Sequence, residues 1–185
     1  MLKSKIIGPI VLLFGLSLLT ACADDDDETI KLTARYEIEK GTRTGRLVVE
    51  CEIIEGAHIY SLQQASPPGP TKIKIAESKF FQSKGEFTAN REPKVTEHDP
   101  VFETRLEEFM EKVAFTRPIE VTSEADLEKL KIELTVSGQV CSDNDCEMFR
   151  DKKVDVSFGG YYDPKEEESA KKRQAAKKLP VPNKK

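Results

Sequence analysis

Ile30-Lys31-Leu32-Thr33-Ala34-Arg35-Tyr36-Glu37-Ile38 decides the fold class, because apolar residues at 30, 32, 34, 36 and 38 alternate with polar or charged ones. A period of two marks a half-buried strand, since successive strand side chains point to opposite faces. Gly41-Thr42-Arg43-Thr44-Gly45 is turn material, and Arg46 to Ile54 resumes the alternation with Leu47, Val49, Cys51 and Ile53 on one face. Lys72 to Ala76, Leu130 to Val136 and Val154 to Phe158 repeat it. Between them lie the breakers Ser66-Pro67-Pro68-Gly69-Pro70, Arg117-Pro118 and Gly159-Gly160. Short strands punctuated in this way predict an all-β fold over residues 29–160, an antiparallel sandwich or barrel. Residues 104–114 carry a competing signal. Leu106, Phe109, Met110 and Val113 are spaced as on a helix, whereas Val113-Ala114-Phe115 ahead of Pro118 reads as a strand.

The whole chain has 185 residues, 38% hydrophobic and 34% charged, which corresponds to one domain with appendages. A body of this size buries a core without needing a disulfide or a metal to hold it. The net charge of −4 hides an asymmetry. Lys3 and Lys5 make the start basic, and residues 164–185 hold eight Lys and Arg against three Glu, so the stretch between is strongly acidic. An acidic body argues against nucleic-acid binding, which needs a basic footprint. A single apolar run argues against a multi-span membrane protein.

That run, Ile6 to Leu19 after Lys3 and Lys5, reads as a secretory signal over residues 1–21, too short and too broken for a stable span. Leu19-Thr20-Ala21-Cys22 resembles the bacterial lipobox, in which the cysteine is acylated and becomes the first mature residue. The expectation is therefore a lipidated Cys22, an acidic spacer over 22–28 and a membrane-anchored periplasmic lipoprotein. Cleavage after Ala23 to give a soluble secreted or periplasmic chain is the alternative. Either route places the chain outside the cytoplasm, where disulfides persist. At the other end, residues 161–185 form a charged tail. Asp163 caps, Pro164 suits the first helical position and Glu166 completes a capping-box pattern, which predicts an exposed helix. Leu179 to Lys185 is expected to be disordered.

Three cysteines remain. Cys51 falls on the apolar face of a strand and reads as an inert packed residue. Cys141 and Cys146 flank Ser142-Asp143-Asn144-Asp145, a polar turn that can bring the two sulfurs within bonding distance, so the oxidised pair is expected to be a disulfide. Closing a loop of six residues stabilises by only about 2 kcal/mol, little for a staple. Asp143, Asp145 and Glu147 disfavour a thiolate beside them, which makes the dithiol the better reductant. Spacing alone favours a structural hairpin disulfide, which is common in secreted proteins. Cys146 and Met148 are two soft ligands for Cu(I), but no Met or His cluster supports them, and His58 and His98 are too few for zinc.

Gly56-Ala57-His58-Ile59-Tyr60-Ser61, then a Pro-rich segment before Thr71-Lys72-Ile73-Lys74-Ile75, then Asp99-Pro100-Val101-Phe102 and finally Gln139-Val140-Cys141 with Cys146 occur in this order. In that order the chain resembles the N-terminal periplasmic domains of the DsbD thiol:disulfide interchange proteins, the disulfide bond corrector domain family, over roughly residues 29–160. The resemblance implies an immunoglobulin-like β-sandwich whose cysteine pair passes electrons to oxidised periplasmic proteins, with no cofactor. It implies that Cys146 forms the mixed disulfide and Cys141 resolves it. His98 to Phe102 would be a cap loop with Val101 or Phe102 as its shielding residue, and Tyr60 and Asp99 would line the site. Electrons would come from a separate thioredoxin-like or membrane electron-transfer protein, because no Cys-x-x-Cys is present. Glu147-Met148-Phe149 departs from the Leu-Pro or Pro-Pro pair frequent in the family after the second cysteine. The alternative is a non-catalytic immunoglobulin-like lipoprotein that binds a partner and keeps Cys141–Cys146 as a staple.

Overall fold

A computed structural model describes residues 29–65 and 67–177. The signal segment 1–21, the Cys22 acylation site, the spacer 22–28 and the terminal stretch 179–185 lie outside the described residues. Along the chain come β1 (Ile30–Glu39), β2 (Thr44–Ile53), β3 (His58–Tyr60) and β4 (Lys72–Ile75). The short β5 (Phe81–Ser83), β6 (Thr88–Ala89) and β7 (Lys94–Thr96) follow. Then come β8 (Leu106–Met110), β9 (Lys112–Val121), β10 (Glu133–Cys141), β11 (Cys146–Tyr162) and the helix α1 (Pro164–Lys177).

The strands run in the order β5-β9-β2-β1-β11-β10-β3-β8-β7, with β6 added to β9 and β4 to β10. The first layer is built on the β1–β2 hairpin, in unbroken antiparallel register from Ile30↔Ile53 to Ile38↔Gly45, with β9 on the other side of β2. The second layer is β10 with β3, β4, β8 and β7. β11 belongs to both. Its first half is antiparallel to β10, and its second half, from Val156, is parallel to β1. The fold is thus the all-β sandwich that the alternation predicts, with one parallel pair where only antiparallel ones were expected. A strand that leaves one layer for the other reaches β1 running in the same direction.

The two layers close on a single dry core. Tyr36, Ile38, Leu47, Val49, Phe115 and Ile119 from the first meet Ile59, Phe109, Leu134 and Val136 from the second. The Phe109 and Phe115 rings meet edge to face at 5.7 Å across the layers. Each such side chain contributes about 1.5–3 kcal/mol through burial. The Tyr36 hydroxyl, buried among them, accepts a hydrogen bond from the Leu130 N–H at 3.1 Å and so fixes the entry to β10.

Three sequence signals are resolved differently from their first reading. Residues 104–114 are strand, turn and strand, broken at Glu111 with φ 59°. The helix-like spacing arises because β8 buries both faces: Phe109 enters the core, while Leu106 enters a separate cluster on the outer face. Arg117-Pro118 does not end a strand but lies within β9. The Pro118 carbonyl accepts from the Lys84 N–H, so its ring nitrogen points to the side bordered by the short β5 and β6 and forfeits no bond to β2. Gly159-Gly160 is likewise a bulge within β11, between the pairs Tyr36↔Phe158 and Ile38↔Tyr161. Gly160 has φ 103°, and a Cβ on Gly159 would meet Arg35 Cδ at 2.9 Å.

The tail begins with a helix. The Asp163 Oδ1 accepts from the Lys165 N–H at 2.9 Å, a side-chain cap on the first turn. Glu167 pairs with Arg46 of β2, whose guanidinium also holds Glu37 and stacks 4.2 Å over the Tyr162 ring. The first turn of α1 is therefore tied to the sandwich, although the helix has no apolar stripe.

Candidate functional site

β10 and β11 form a hairpin in which Cys141 and Cys146 are the last directly opposed pair. The tetrapeptide between them closes with the Ser142 N–H donating to the Asp145 carbonyl at 2.8 Å, and the Asp145 carboxylate takes the Cys146 N–H at 2.8 Å. Their Cα atoms are 4.1 Å apart and the sulfurs are bonded, so the described state is the oxidised one. Cys141 is 2% exposed, whereas Cys146 is open to solvent. One end of the bond is thus sealed and the other presented.

Alternation along the strands explains what surrounds Cys141. Val140 faces the core, so Cys141 faces outward. Its cross-strand partner on β3 is His58, and Tyr60 stands two residues further on the same face. On β8, Glu108 opposes Tyr60, and Leu106 shares its face. Tyr60, Leu106 and Cys141 pack together, with Phe102 laid against them. Polar groups run through the same cluster. His58 Nε2 is 3.2 Å from the Tyr60 hydroxyl and 3.3 Å from Glu108 Oε1, and Lys94 Nζ of β7 is 3.9 Å from Glu108 Oε2. Burial, then the charges of Glu108 and Asp99, push the Tyr60 hydroxyl up to about 12, so it stays neutral.

The 97–105 loop is the tip of the β7–β8 hairpin, whose last ladder pair is Thr96↔Leu106. Glu97 and Arg105 pair across its neck at 3.4 Å. Asp99 organises it from within. Its Oδ1 accepts the Val101 and Phe102 N–H groups, each at 2.9 Å, and its own N–H donates to the Thr104 carbonyl. That turn aims Phe102 at the cysteine cluster and leaves Val101 79% exposed. His98 is exposed as well. The root of the loop is pinned by Gln64, which donates to the Arg105 carbonyl at 3.0 Å and accepts the Glu107 N–H at 2.8 Å.

The structure therefore brings Cys141, Cys146, Tyr60, Asp99 and Phe102 to one end of the second layer and turns Val101 to solvent. Sequence reasoning missed Glu108, a carboxylate only 9% exposed, and Gln64, only 4% exposed. A strand reading of 106–110 places Glu108 on the face of Leu106, which is the signal that could have found it. Cys51 stays apart. It is fully buried in the core, and burial, with the nearby Glu50 charge, pushes its thiol up to about 12, leaving it unreactive. Met148 is 59% exposed, and among the described residues no three His, Cys, Asp or Glu are grouped to hold a metal ion.

No family model and no curated protein matches the chain. Among solved structures it is similar to the N-terminal periplasmic domain of ScsB from Proteus mirabilis, with a TM-score of 0.50 and 15% sequence identity. The likeness covers 85% of this chain and 57% of that one, and it is a likeness of fold. No helix among the described residues is long and apolar enough to cross a membrane.

Proposed function

We propose that the chain is a thiol–disulfide exchange domain that works outside the cytoplasm, held to a membrane through an acylated Cys22. The observation that supports it best is the asymmetry of the Cys141–Cys146 bond, one cysteine buried in the cluster that Phe102 packs against and the other exposed. A staple has no use for that difference, whereas exchange needs it.

In the reduced state the Cys146 thiolate attacks a disulfide of an oxidised partner protein and forms a mixed disulfide, releasing one partner thiolate. Cys141 then loses its proton and attacks the Cys146 sulfur. The second partner thiolate leaves, the two partner thiolates pick up two protons, and Cys141–Cys146 is restored. Two electrons have passed to the partner. A thioredoxin-like or membrane electron-transfer dithiol reduces the pair again by attacking Cys146, the sulfur it can reach, and Cys141 is the leaving group. Phe102, held by the turn on Asp99, covers Cys141 until a docking partner displaces it. Tyr60 contributes a neutral hydroxyl to the wall of the site.

Trapping tests this. Cys141→Ser should accumulate mixed disulfides through Cys146, visible as higher-mass, reductant-sensitive bands, and Cys146→Ser should not. A pair that a thioredoxin-like protein cannot reduce, together with no trapped adduct, would leave the chain a binding module with a structural disulfide.

A further inference from the structure

Glu108 is one of very few buried polar or charged residues described, and it lies on the face of the cysteine pair. Its Oε1 is 3.3 Å from His58 Nε2, and His58 is the direct cross-strand neighbour of Cys141. Side chains directly opposed on antiparallel strands have Cβ atoms about 4.5–5.5 Å apart, within reach of an imidazole. A carboxylate 3.3 Å from Nε2 favours the tautomer that carries the proton there, with the Tyr60 hydroxyl oxygen beside it as acceptor, and that tautomer leaves Nδ1 as the basic atom of the ring. A buried cysteine on β10, the imidazole opposite it on β3 and a carboxylate on β8 thus follow one another across the sheet, the order of groups that lets a thiol shed its proton.

Resting on the exchange reading above, we infer that His58, oriented by Glu108, accepts the Cys141 proton in the resolving step. The Cys141 thiol gives its proton to His58 Nδ1, and the thiolate attacks the Cys146 sulfur of the mixed disulfide. As the Cys141–Cys146 bond forms, the partner thiolate leaves and is protonated from solvent, while His58 returns its proton to solvent. Cys141 needs such help because it is sealed among Tyr60, Leu106 and Phe102, where a bare thiolate is costly. The groups facing His58 are Tyr60 on its own strand, Glu108 on β8 and Cys141 on β10. Lys94 of β7 stands behind Glu108, and Asp99 of the loop acts on Tyr60.

Oxidised glutathione serves as the probe, because it loads Cys146 without any protein partner. The reduced full chain is mixed with it, and the resolving step is followed by acid quench and intact mass from pH 5.5 to 9.5. His58→Gln is expected to hold the Cys146–glutathione adduct at pH 7, resolving roughly tenfold or more slowly than the parent, and to rejoin the parent rate at the alkaline end. Glu108→Gln, which keeps the size of the side chain and serves as the second variant should His58→Gln weaken the fold, is expected to slow resolution severalfold with the same convergence. A parent-like pH profile, or slowing by one factor at every pH, overturns the inference. Absence of partner trapping, with both variants showing the expected pH-dependent slowing toward glutathione, counts against the exchange function alone, so the two failures are told apart.

Discussion

β3, β8 and β10 each carry two faces, and these differ in kind. Inward, Ile59, Phe109, Val136 and Val140 join a core with no buried carboxylate. Outward, and offset by a single residue, the same strands present His58, Tyr60, Glu108 and Cys141. One face supplies stability, and the other holds the groups to which the exchange chemistry is assigned by proposal. Because a strand reverses its facing at every residue, the two are built without sharing a side chain. The site is held rigidly from behind, and only the 97–105 loop, a hairpin tip, covers it from the front.

Substitutions can break or sharpen that contrast. The largest effect is expected from Phe115→Ala, which removes the edge-to-face partner of Phe109. It should cost about 3–5 kcal/mol in urea unfolding, typical of emptying a large aromatic site. The exchange rate per folded molecule should be unchanged, and a proportional loss of exchange would show that the faces are coupled. On the other side, Phe102→Ala should cost under about 1.5 kcal/mol, because Phe102 is only half buried. It should instead admit small thiols, with reduction of Cys141–Cys146 by dithiothreitol severalfold faster in stopped-flow. An unchanged rate would mean that the loop shields nothing.

The smallest effect concerns the rim between the faces. The Ser61 hydroxyl donates to Glu107 at 2.7 Å, and Arg105 pairs with the same carboxylate. The Ser61 hydrogen bond first, then Arg105, hold the Glu107 carboxyl below its usual range despite some desolvation. A carboxyl held low in the folded state stabilises fully above its unfolded value, about 4.3, and progressively less as the pH falls. Glu107→Gln should therefore flatten the acid limb of stability below about pH 4.5 while leaving neutral stability within about 1 kcal/mol. Acid melting curves of parent and variant that stay parallel would exclude the contribution.

Much of this was legible in the chain. Alternation from Ile30 to Ile38 gave β1, and the polar tetrapeptide between Cys141 and Cys146 gave the hairpin. What escaped has physical causes. β5, β6 and β7 have two or three residues each, too few to display a period. β8 buries both of its faces, so its apolar residues imitate a helix. Pro118 and Gly159-Gly160 read as stops because a local rule cannot know which side of a strand lacks a neighbour. Glu108 escaped because its meaning depends on His58, fifty residues earlier.

The seventeen-residue β11 starts at Cys146 and ends against β1 in the opposite layer. A ribbon clamped at its far end cannot slide when the sulfur bond at its near end opens. Gaining or losing two electrons should therefore leave the path of the chain in place and ask only for side-chain swings near the tip. On the exchange reading, a frame that needs no rearrangement leaves the shape of the exposed rim around Cys146 to decide which partners can react.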